Sequence, residues 1–388
     1  MGKYLKNQQS LFSLKLFIFN FHATNTIILS FLPLYLKHKG LTGTEIGWVL
    51  AIGPFATIIS QPFWGYVSDK YKTVKKILII SIIGMLMMSM LFFSMGHLVT
   101  ILIFGALFYF FSSPVGAFGD SLAQRRADEL HISFGSIRMW GSIGFGLSSL
   151  LIGELLTKVG IGYIVWPYVI LGSFLLVIAF TLKDVVVEED PIQLIDVKKL
   201  FTNRPFIFFL GFMMFVTIAH RANDSYIGIY IQALGGTESL VGLAWFVGLV
   251  SEAIIFATAH YWFRNYHTFI FILIASFIYI IRWFIYGSIH SVTAVIPLQI
   301  LHGLSFGVFY TAALDYVTRV VPNVLQSTGH LIFYSVFFGV SGIIGSLFGG
   351  MIMDAFSVHT LYIGMAFFTL IGFVVMSIYY IAIKRAEI

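Results

Sequence analysis

The sequence predicts an all-α membrane protein with twelve transmembrane helices, arranged as two pseudo-symmetric six-helix bundles with both termini cytoplasmic. Three observations predict this fold: an apolar composition, twelve long apolar runs, and similar glycine patterns in the two halves. Of the 388 residues, 59% are hydrophobic and 10% are charged, whereas about 25% of residues are charged in a soluble domain. The bilayer is therefore the expected solvent for most of the surface.

Twelve apolar runs are each roughly 20 residues long, the length at which an α-helix crosses about 30 Å of hydrocarbon. Because the runs are continuously apolar, they do not have the alternating pattern of a transmembrane β-barrel. The predicted spans, numbered 1 to 12 in chain order, are residues 11–36, 44–66, 77–95, 98–122, 135–157, 162–182, 205–232, 239–263, 267–288, 292–317, 327–351 and 360–383.

One long polar connection divides the chain into two sets of six spans. We predict an N-terminal bundle at residues 1–182, a cytoplasmic linker at 183–204 and a C-terminal bundle at 205–388. Most Lys and Arg residues lie at ends and loops that are cytoplasmic if the N-terminus is inside, as the positive-inside rule requires. Topology therefore explains the net charge of +6, and we expect no nucleic-acid partner.

Glycine patterns relate the two halves to each other. Gly47 and Gly53 at span 2 have the same spacing as Gly242 and Gly248 at span 8, and spans 5 and 11 both carry closely spaced glycines. Two repeated halves with a site between them are a plan of secondary transporters. Ordinary glycine packing is the alternative explanation of the pattern.

Several classes of chemistry have no motif in this chain. It has no cysteine, which excludes disulfides and thiolate nucleophiles. It has neither a Gly-x-x-x-x-Gly-Lys-Ser/Thr segment nor a His-Glu-x-x-His segment, so ATP-driven transport, a metal site and a cofactor are not predicted. A membrane enzyme, or a non-transporting sensor or scaffold on this fold, is the alternative from another functional class. We expect a monomer.

Span 7 contains a charged cluster within a run of lipid-crossing length, HRAND at residues 220–224. A charge at the centre of a membrane helix costs roughly 2.5–3.5 kcal/mol on insertion scales. Arg221 and Asp224 are three residues apart, and His220 and Asp224 are four apart, so their side chains share one helix face. The cluster is either a self-neutralised pair that lowers the insertion cost or a functional pair that faces a cavity.

Other ionisable residues also lie within the predicted spans, where such residues usually face the bundle interior and mark substrate or ion pathways. They are Asp120, Arg138, Glu252, Arg282 and His302. Glu252, half-way through span 8, is the predicted residue that takes and releases a proton, and a structural ion pair is the alternative. On span 1, His22 and Asn25 offer hydrogen-bonding groups to a polar solute.

The loop between spans 2 and 3, GYVSDKYKTVKK at residues 65–76, resembles the Gly-x-x-x-Asp-Arg/Lys-x-x-x-Arg/Lys loop of the major facilitator superfamily. The resemblance implies a conformational latch at the inner surface, which can break as the two halves rock. Its members here would be Gly65, Asp69, Lys70, Lys75 and Lys76. A basic inner loop without a further role is the alternative.

Four segments resemble one particular branch of this superfamily: residues 31–70, 134–145, 280–288 and 298–307. They look like the lactose permease type of sugar–proton symporter, and the segments SPVGAFGDSLAQRR and RMWGSIGF look closer to its phenylpropionate permease-like branch. By this resemblance, Arg138 would hold substrate hydroxyls, and Asp120 is near the position of the family's span 4 carboxylate. Glu252 would contact the substrate and take part in coupling, Arg282 would assist proton release, and His302 would lie beside the substrate.

The chain also departs from the sugar symporters. Ser305 stands where they carry the carboxylate that is protonated, Gln299 and Gly339 replace lysines that neutralise span 7 acids, and Phe145 replaces a tryptophan that stacks on the sugar ring. These departures argue against lactose as the substrate. They also make Arg221 the expected local partner of Asp224.

Together these observations predict a secondary active transporter of the bacterial plasma membrane. We expect a proton-coupled symporter that imports a small polar or aromatic organic solute, such as a sugar, a nucleoside or an aromatic acid, by alternating access. Its partners would be the solute, the proton and the lipid bilayer. An efflux antiporter is the alternative, although span 5 lacks the proline of the Gly-Pro motif that is common in that class.

Overall fold

Membrane-length helices account for most of the chain. The structure is a computed structural model that describes residues 2–184, 200–263, 267–322 and 325–386. These residues include no β-strand, and twelve of their helices are long and apolar enough to span a bilayer. The predicted all-α fold with twelve spans is therefore confirmed. The orientation of the termini stays a prediction.

The observed spans keep the numbers of the predicted ones. Their bounds are Leu11–His38, Gly43–Tyr71, Val74–Ser94, Leu98–Leu130, Gly135–Val159, Ile161–Thr181, Arg204–Ala233, Glu238–Ala259, Thr268–Ser288, Val292–Val320, Thr328–Ala355 and Val358–Ile381. Span 4 continues well beyond its predicted end at residue 122. The prediction followed the apolar run, whereas the helix extends through a polar segment rich in good helix formers such as Gln, Arg, Ala and Glu.

The chain forms two compact units. Unit 1 comprises Met1–Glu189 and Thr237–Phe246, and unit 2 comprises Asp190–Gly236 and Val247–Ile388. The first residues of span 8 therefore pack with unit 1, while the remainder of that span belongs to unit 2. Residues 185–199 of the predicted linker lie outside the described residues, and the predicted domain boundaries stay predictions.

Glycines bring one pair of spans into backbone contact in each unit. In unit 1, a Cβ placed on Gly144 of span 5 would overlap the carbonyl oxygen of Phe19 in span 1. In unit 2, a Cβ on Gly345 of span 11 would lie 2.7 Å from the carbonyl oxygen of Ile218 and 2.9 Å from the nitrogen of Ala222, both in span 7. Corresponding spans of the two halves thus pack in the same way, and the second contact lies beside the HRAND cluster.

Three spans are not regular α-helices throughout. Span 1 contains a π-helical turn at Ile27–Phe31, span 10 at Gly303–Gly307 and span 11 at Ser335–Val340. Such turns are frequent at functional sites, because they rotate the side chains that follow. The turn in span 10 begins directly after His302, one of the predicted site residues.

Candidate functional site

In unit 1, spans 4 and 5 bring Asp120 and Arg138 together. The Nε of Arg138 lies 3.3 Å from the Oδ1 of Asp120, although within the described residues that oxygen has no hydrogen bond of regular geometry. The side chains are 35% and 44% exposed, respectively, for Arg138 and Asp120. The pair is therefore an open ionic contact, in which the guanidinium has further N–H donors to offer to a solute.

His22 of span 1 belongs to the same cluster. A Cβ on Gly141 would overlap the His22 ring and would lie 2.6 Å from the Nη1 of Arg138, so the missing side chain of Gly141 gives both groups room. Asn25 lies one helical turn further along span 1 and is exposed. Unit 1 therefore offers a cation, a carboxylate, an imidazole and an amide as hydrogen-bonding groups.

Phe145 is buried, whereas a ring that stacks on a substrate would have an exposed face. Its side chain is only 8% exposed, and its ring lies 5.7 Å from the ring of Trp245 within the same unit. Its carbonyl oxygen accepts a hydrogen bond of 3.2 Å from Thr26 Oγ1 of span 1. Phe145 thus forms a packed aromatic wall, and its predicted role in substrate binding stays a prediction.

In unit 2, the guanidinium of Arg282 is fully buried. Its Nη2 donates to the Oε1 of Gln299 at 2.9 Å, and its Nη1 lies 3.3 Å from the Nδ1 of His302 and 3.4 Å from the Oγ of Ser305. The guanidinium carbon is 4.8 Å from the centre of the Trp283 ring, within the range of a cation–π interaction. Span 9 therefore directs a cation at three polar side chains of span 10.

Arg282 determines which nitrogen of His302 carries the ring proton. A guanidinium only donates hydrogen bonds, so the Nδ1 of His302 must accept and the proton of the neutral ring is on Nε2. That Nε2 lies 3.4 Å from the Oε2 of Glu252. The Glu252 side chain is 19% exposed and that of His302 is 10% exposed. The arrangement places the Nε2–H group of His302 within ion-pair distance of a carboxylate inside a membrane-spanning segment.

The HRAND cluster forms its pair within span 7. The Nη1 of Arg221 lies 2.7 Å from the Oδ2 of Asp224, and the Nε2 of His220 lies 3.5 Å from the same oxygen. The Asp224 side chain is 8% exposed, and that of Arg221 is 18% exposed. The neighbouring Asn223 accepts a hydrogen bond of 3.1 Å from the hydroxyl of Tyr362. A function of the pair beyond local neutralisation stays a prediction.

His220 connects the HRAND cluster with the cluster around Glu252, a role that sequence reasoning missed. Its ring stacks on Phe306 of span 10 at a centroid distance of 4.7 Å, and its centroid is 5.7 Å from that of His302. Phe306 in turn stacks on His302 at 5.3 Å. The sequence indicated only that His220 and Asp224 share a helix face, through their i, i+4 spacing. The contacts of His220 with span 10 depend on helix packing, which the sequence does not show.

The predicted latch residues lie at and beyond the C-terminal end of span 2. Asp69 and Lys70 are exposed, and the Nζ of Lys70 is 5.9 Å from the centre of the Tyr71 ring. The Nζ of Lys75 donates at 2.7 Å to the carbonyl oxygen of Phe180 in span 6. A basic group of the predicted latch is thus bound to the end of span 6 within unit 1.

Asp184 adds a contact to this loop that sequence reasoning did not predict. Its Oδ2 accepts from the Thr73 hydroxyl at 2.5 Å, and its Oδ1 accepts from the backbone N–H groups of Val74 and Lys75 at 3.1 and 2.9 Å. A carboxylate at this place satisfies the free N–H groups at the start of span 3 and complements the helix dipole. Gly65 and Lys76 complete the predicted latch, whose action stays a prediction.

Comparison with known proteins assigns the chain to a family. Residues 11–364 match the MFS_1 like family. The match includes spans 1 to 11 and the first part of span 12. The chain belongs to the MFS_1 like family. The predicted membership of the major facilitator superfamily is thereby confirmed.

Two curated proteins resemble this member of the MFS_1 like family along most of their length. The uncharacterized transporter YwbF of Bacillus subtilis is 27% identical over 365 residues, which cover 92% of this chain and 90% of YwbF. The maltose permease of Geobacillus stearothermophilus is 27% identical over 353 residues, which cover 89% of this chain and 88% of the permease. Both relatives are bacterial.

A solved structure has the same fold. The crystal structure of the nucleoside transporter NupG superposes with a TM-score of 0.86 and 15% sequence identity, covering 95% of this chain and 98% of NupG. The family membership, the bacterial transporter relatives and the twelve apolar helices make this MFS_1 like protein a multi-pass transporter of a bacterial plasma membrane, and not an enzyme. Its partners include the lipid bilayer and a small-molecule substrate.

Proposed function

We propose that this transporter is a proton-coupled symporter that imports a small polar organic solute by alternating access. The solute classes in question are a sugar, a nucleoside and an aromatic acid. The names of the relatives support the first two, since one is a maltose permease and the structural neighbour is a nucleoside transporter. The observation that carries the proposal is the contact of Glu252 with His302 inside the membrane-spanning part of unit 2, where Arg282 in turn binds the other ring nitrogen of His302.

Glu252 is the proposed proton carrier because its contact with His302 depends on its charge. The Nε2 of His302 lies 3.4 Å from a Glu252 oxygen, and an N–H group is attracted more strongly by an ionised carboxylate than by a neutral carboxyl group. Protonation of Glu252 therefore weakens the attraction between spans 8 and 10. A proton that changes the contact of two spans is what coupling to a conformational change requires.

The Nδ1 of His302 is occupied by the contact with Arg282. We therefore assign His302 the role of a donor with a fixed tautomer, whose Nε2 lies next to Glu252. Arg282 fixes this tautomer and balances the charge of the carboxylate.

Arg138 is the proposed anchor for the solute. The described contact with Asp120 uses its Nε, and the planar guanidinium can bind two adjacent oxygens of a solute with parallel hydrogen bonds. Vicinal hydroxyls of a sugar or a ribose, and the carboxylate of an aromatic acid, all present such a pair of oxygens. His22 and Asn25 add groups that can bind further oxygens of the same solute.

Uptake measurements test the proposal in two steps. A thermal-shift screen of the purified protein with maltose, uridine, 3-phenylpropionate and the amide of 3-phenylpropionate first selects the solute. Proteoliposomes with an imposed pH gradient then measure whether that solute accumulates inside. We expect Glu252→Gln to abolish accumulation and to retain exchange of solute across the membrane.

Glu238→Gln is the matched control, because it changes the same functional group at the outer start of the same span. This variant should accumulate solute as the wild type does. If Glu252→Gln still concentrated the solute with the wild-type proton stoichiometry, the assignment of Glu252 would be wrong. A pH gradient that drives solute out and not in would instead indicate an antiporter.

A further inference from the structure

Span 10 is interrupted at the residues that face Glu252. An α-helical segment ends at Leu298, a short segment covers Ile300–His302, and a π-helical turn follows at Gly303–Gly307. In a regular α-helix, the N–H of Gly303 would donate to the carbonyl oxygen of Gln299, four residues earlier. Here that carbonyl oxygen accepts from the N–H of His302 at 2.9 Å. The backbone bonding of span 10 is therefore not that of a regular α-helix at this point.

The hydroxyl of Ser251 in span 8 bonds to the backbone of span 10 at the same point. The N–H of Gly303 donates to Ser251 Oγ at 2.9 Å. The hydroxyl proton has two acceptors, since the oxygen lies 2.8 Å from the carbonyl oxygen of Gly248 in its own helix and 3.3 Å from that of Gln299 in span 10. A side chain of span 8 thus bonds to two backbone groups of span 10, the N–H of Gly303 and the carbonyl oxygen of Gln299.

The backbones of the two spans touch at the same place. A Cβ on Gly303 would overlap the carbonyl oxygen of Ser251 and would lie 2.8 Å from the nitrogen of Glu252. Because these neighbours are backbone atoms, they cannot move aside as the end of a flexible side chain would. Gly303 is therefore required for the close approach, and Ser251 supplies the hydrogen bond that this approach allows.

The crossing and the proposed proton site are adjacent in both spans. Ser251 directly precedes Glu252, and Gly303 directly follows His302, so the Ser251–Gly303 hydrogen bond lies beside the Glu252–His302 contact. We propose that Ser251 is a positioning residue for proton coupling, because its bond to span 10 fixes His302 where its Nε2 faces Glu252. This inference rests on the proposed role of Glu252 as the proton carrier.

Several ionisable groups influence the same site and must be held constant in a test. Span 9 contributes Arg282, and span 7 contributes His220, whose ring centroid is 5.7 Å from that of His302, together with Asp224 beside it. Ser251 itself does not titrate. A change at this residue therefore alters the geometry of the site and leaves the number of charges unchanged.

Infrared difference spectroscopy on the full-length protein in proteoliposomes measures the protonation of Glu252 directly, with the proton as the only ligand. The carboxyl band that disappears in Glu252→Gln is assigned to Glu252, and its intensity is followed against pH. In Ser251→Ala, the N–H of His302 is held less well against the carboxylate, so the ionised form loses stabilisation. We expect the proton affinity of Glu252 to increase about 3- to 10-fold.

Three further variants separate positioning from general structural damage. Ser276→Ala is the matched control, because Ser276 is also buried in a span but donates only within its own helix, to Ile272 at 2.7 Å; the affinity should change less than about 2-fold. Ser251→Thr keeps the hydroxyl, so Glu252 should titrate in this variant as it does in the wild type. Ser251→Cys keeps the volume but bonds weakly, so it should titrate as Ser251→Ala does.

The outcomes distinguish this inference from the proposed function. If Glu252→Gln removes a titrating band and abolishes accumulation, while both Ser251→Ala and Ser251→Cys titrate as the wild type does, the positioning role is wrong and the proposed function stands. If Glu252→Gln leaves the pH dependence of uptake unchanged, the proposed function is wrong and the inference falls with it. A shift in Ser251→Cys alone supports positioning even if Ser251→Ala does not fold.

Discussion

The two units carry their membrane charges in opposite ways. In unit 1, Arg138 and Asp120 make a single contact, and a large part of each side chain is exposed. In unit 2, Arg282 is fully buried and is bound by Gln299, His302 and Ser305. An exposed cation with unused donors is suited to bind a solute, whereas a buried cation with several fixed partners is suited to control a neighbouring carboxylate. The difference supports separate solute and proton roles for the two clusters.

The largest expected effect comes from removal of the buried cation. Arg282→Gln removes the buried donor that Gln299, His302 and Ser305 share, and each buried polar group left without a partner costs about 1–3 kcal/mol. We expect a large fall in the unfolding temperature of the purified protein and no proton-driven uptake in proteoliposomes.

Arg319→Gln is the matched control for this experiment. Arg319 forms an ion pair with Asp315 at 2.6 Å, but its side chain is 66% exposed, and exposed pairs contribute about 0–1 kcal/mol. This variant should unfold close to the wild-type temperature. If Arg282→Gln were equally stable, the buried cluster of unit 2 would not be the tightly coupled network described above.

A second prediction concerns the exposed cation. Arg138→Lys keeps the charge but loses the planar fork that binds two oxygens. A hydrogen bond to a charged group contributes about 1.5–3 kcal/mol, so solute affinity should fall about 10- to 100-fold while the unfolding temperature stays unchanged. Titration calorimetry with the solute selected in the screen measures the affinity. Unchanged affinity would remove Arg138 from the binding site.

The sequence predicted the charged members of both clusters because ionisable residues are rare in lipid-crossing runs and therefore conspicuous. Arg138, Glu252 and Arg282 needed no structural information to be selected. The neutral partners were not predictable in this way: Gln299 and Ser251 are of a kind that many membrane helices contain. Their contacts depend on where spans 8, 9 and 10 cross and on the π-helical turn of span 10, which no local pattern indicates.

The twelve spans were predictable for a related reason, since each requires only a continuous apolar run of sufficient length. The end of span 4 was not predictable in this way, because the last part of that helix is polar and does not belong to the apolar run. Asp184 was likewise missed as a cap, because its position in the sequence suggested only a linker. Its bonds to the start of span 3 arise from the packing of span 6.

A third prediction uses the HRAND cluster, whose side chains are less exposed than those of Arg138 and Asp120. Arg221→Ala leaves the carboxylate of Asp224 buried beside a neutral histidine, whereas the double variant with Asp224→Ala removes both charges. Because an unpaired buried group costs about 1–3 kcal/mol, the single variant should be less stable than the double one. A double-mutant cycle on the unfolding temperature measures the difference. Equal, harmless effects of all three variants would show that the two residues are neither a pair nor a site.

Only a small effect on stability is expected from Asp120→Asn, and this variant tests the exposed pair most directly. An exposed ion pair contributes about 0–1 kcal/mol, so the unfolding temperature should hardly change. The guanidinium of Arg138 would, however, lose its only described carboxylate contact and become free to balance a negative solute. Binding of 3-phenylpropionate should therefore strengthen relative to binding of its neutral amide. A destabilisation as large as that of Arg282→Gln would contradict the comparison, because it would make the pair of unit 1 as structural as the network of unit 2.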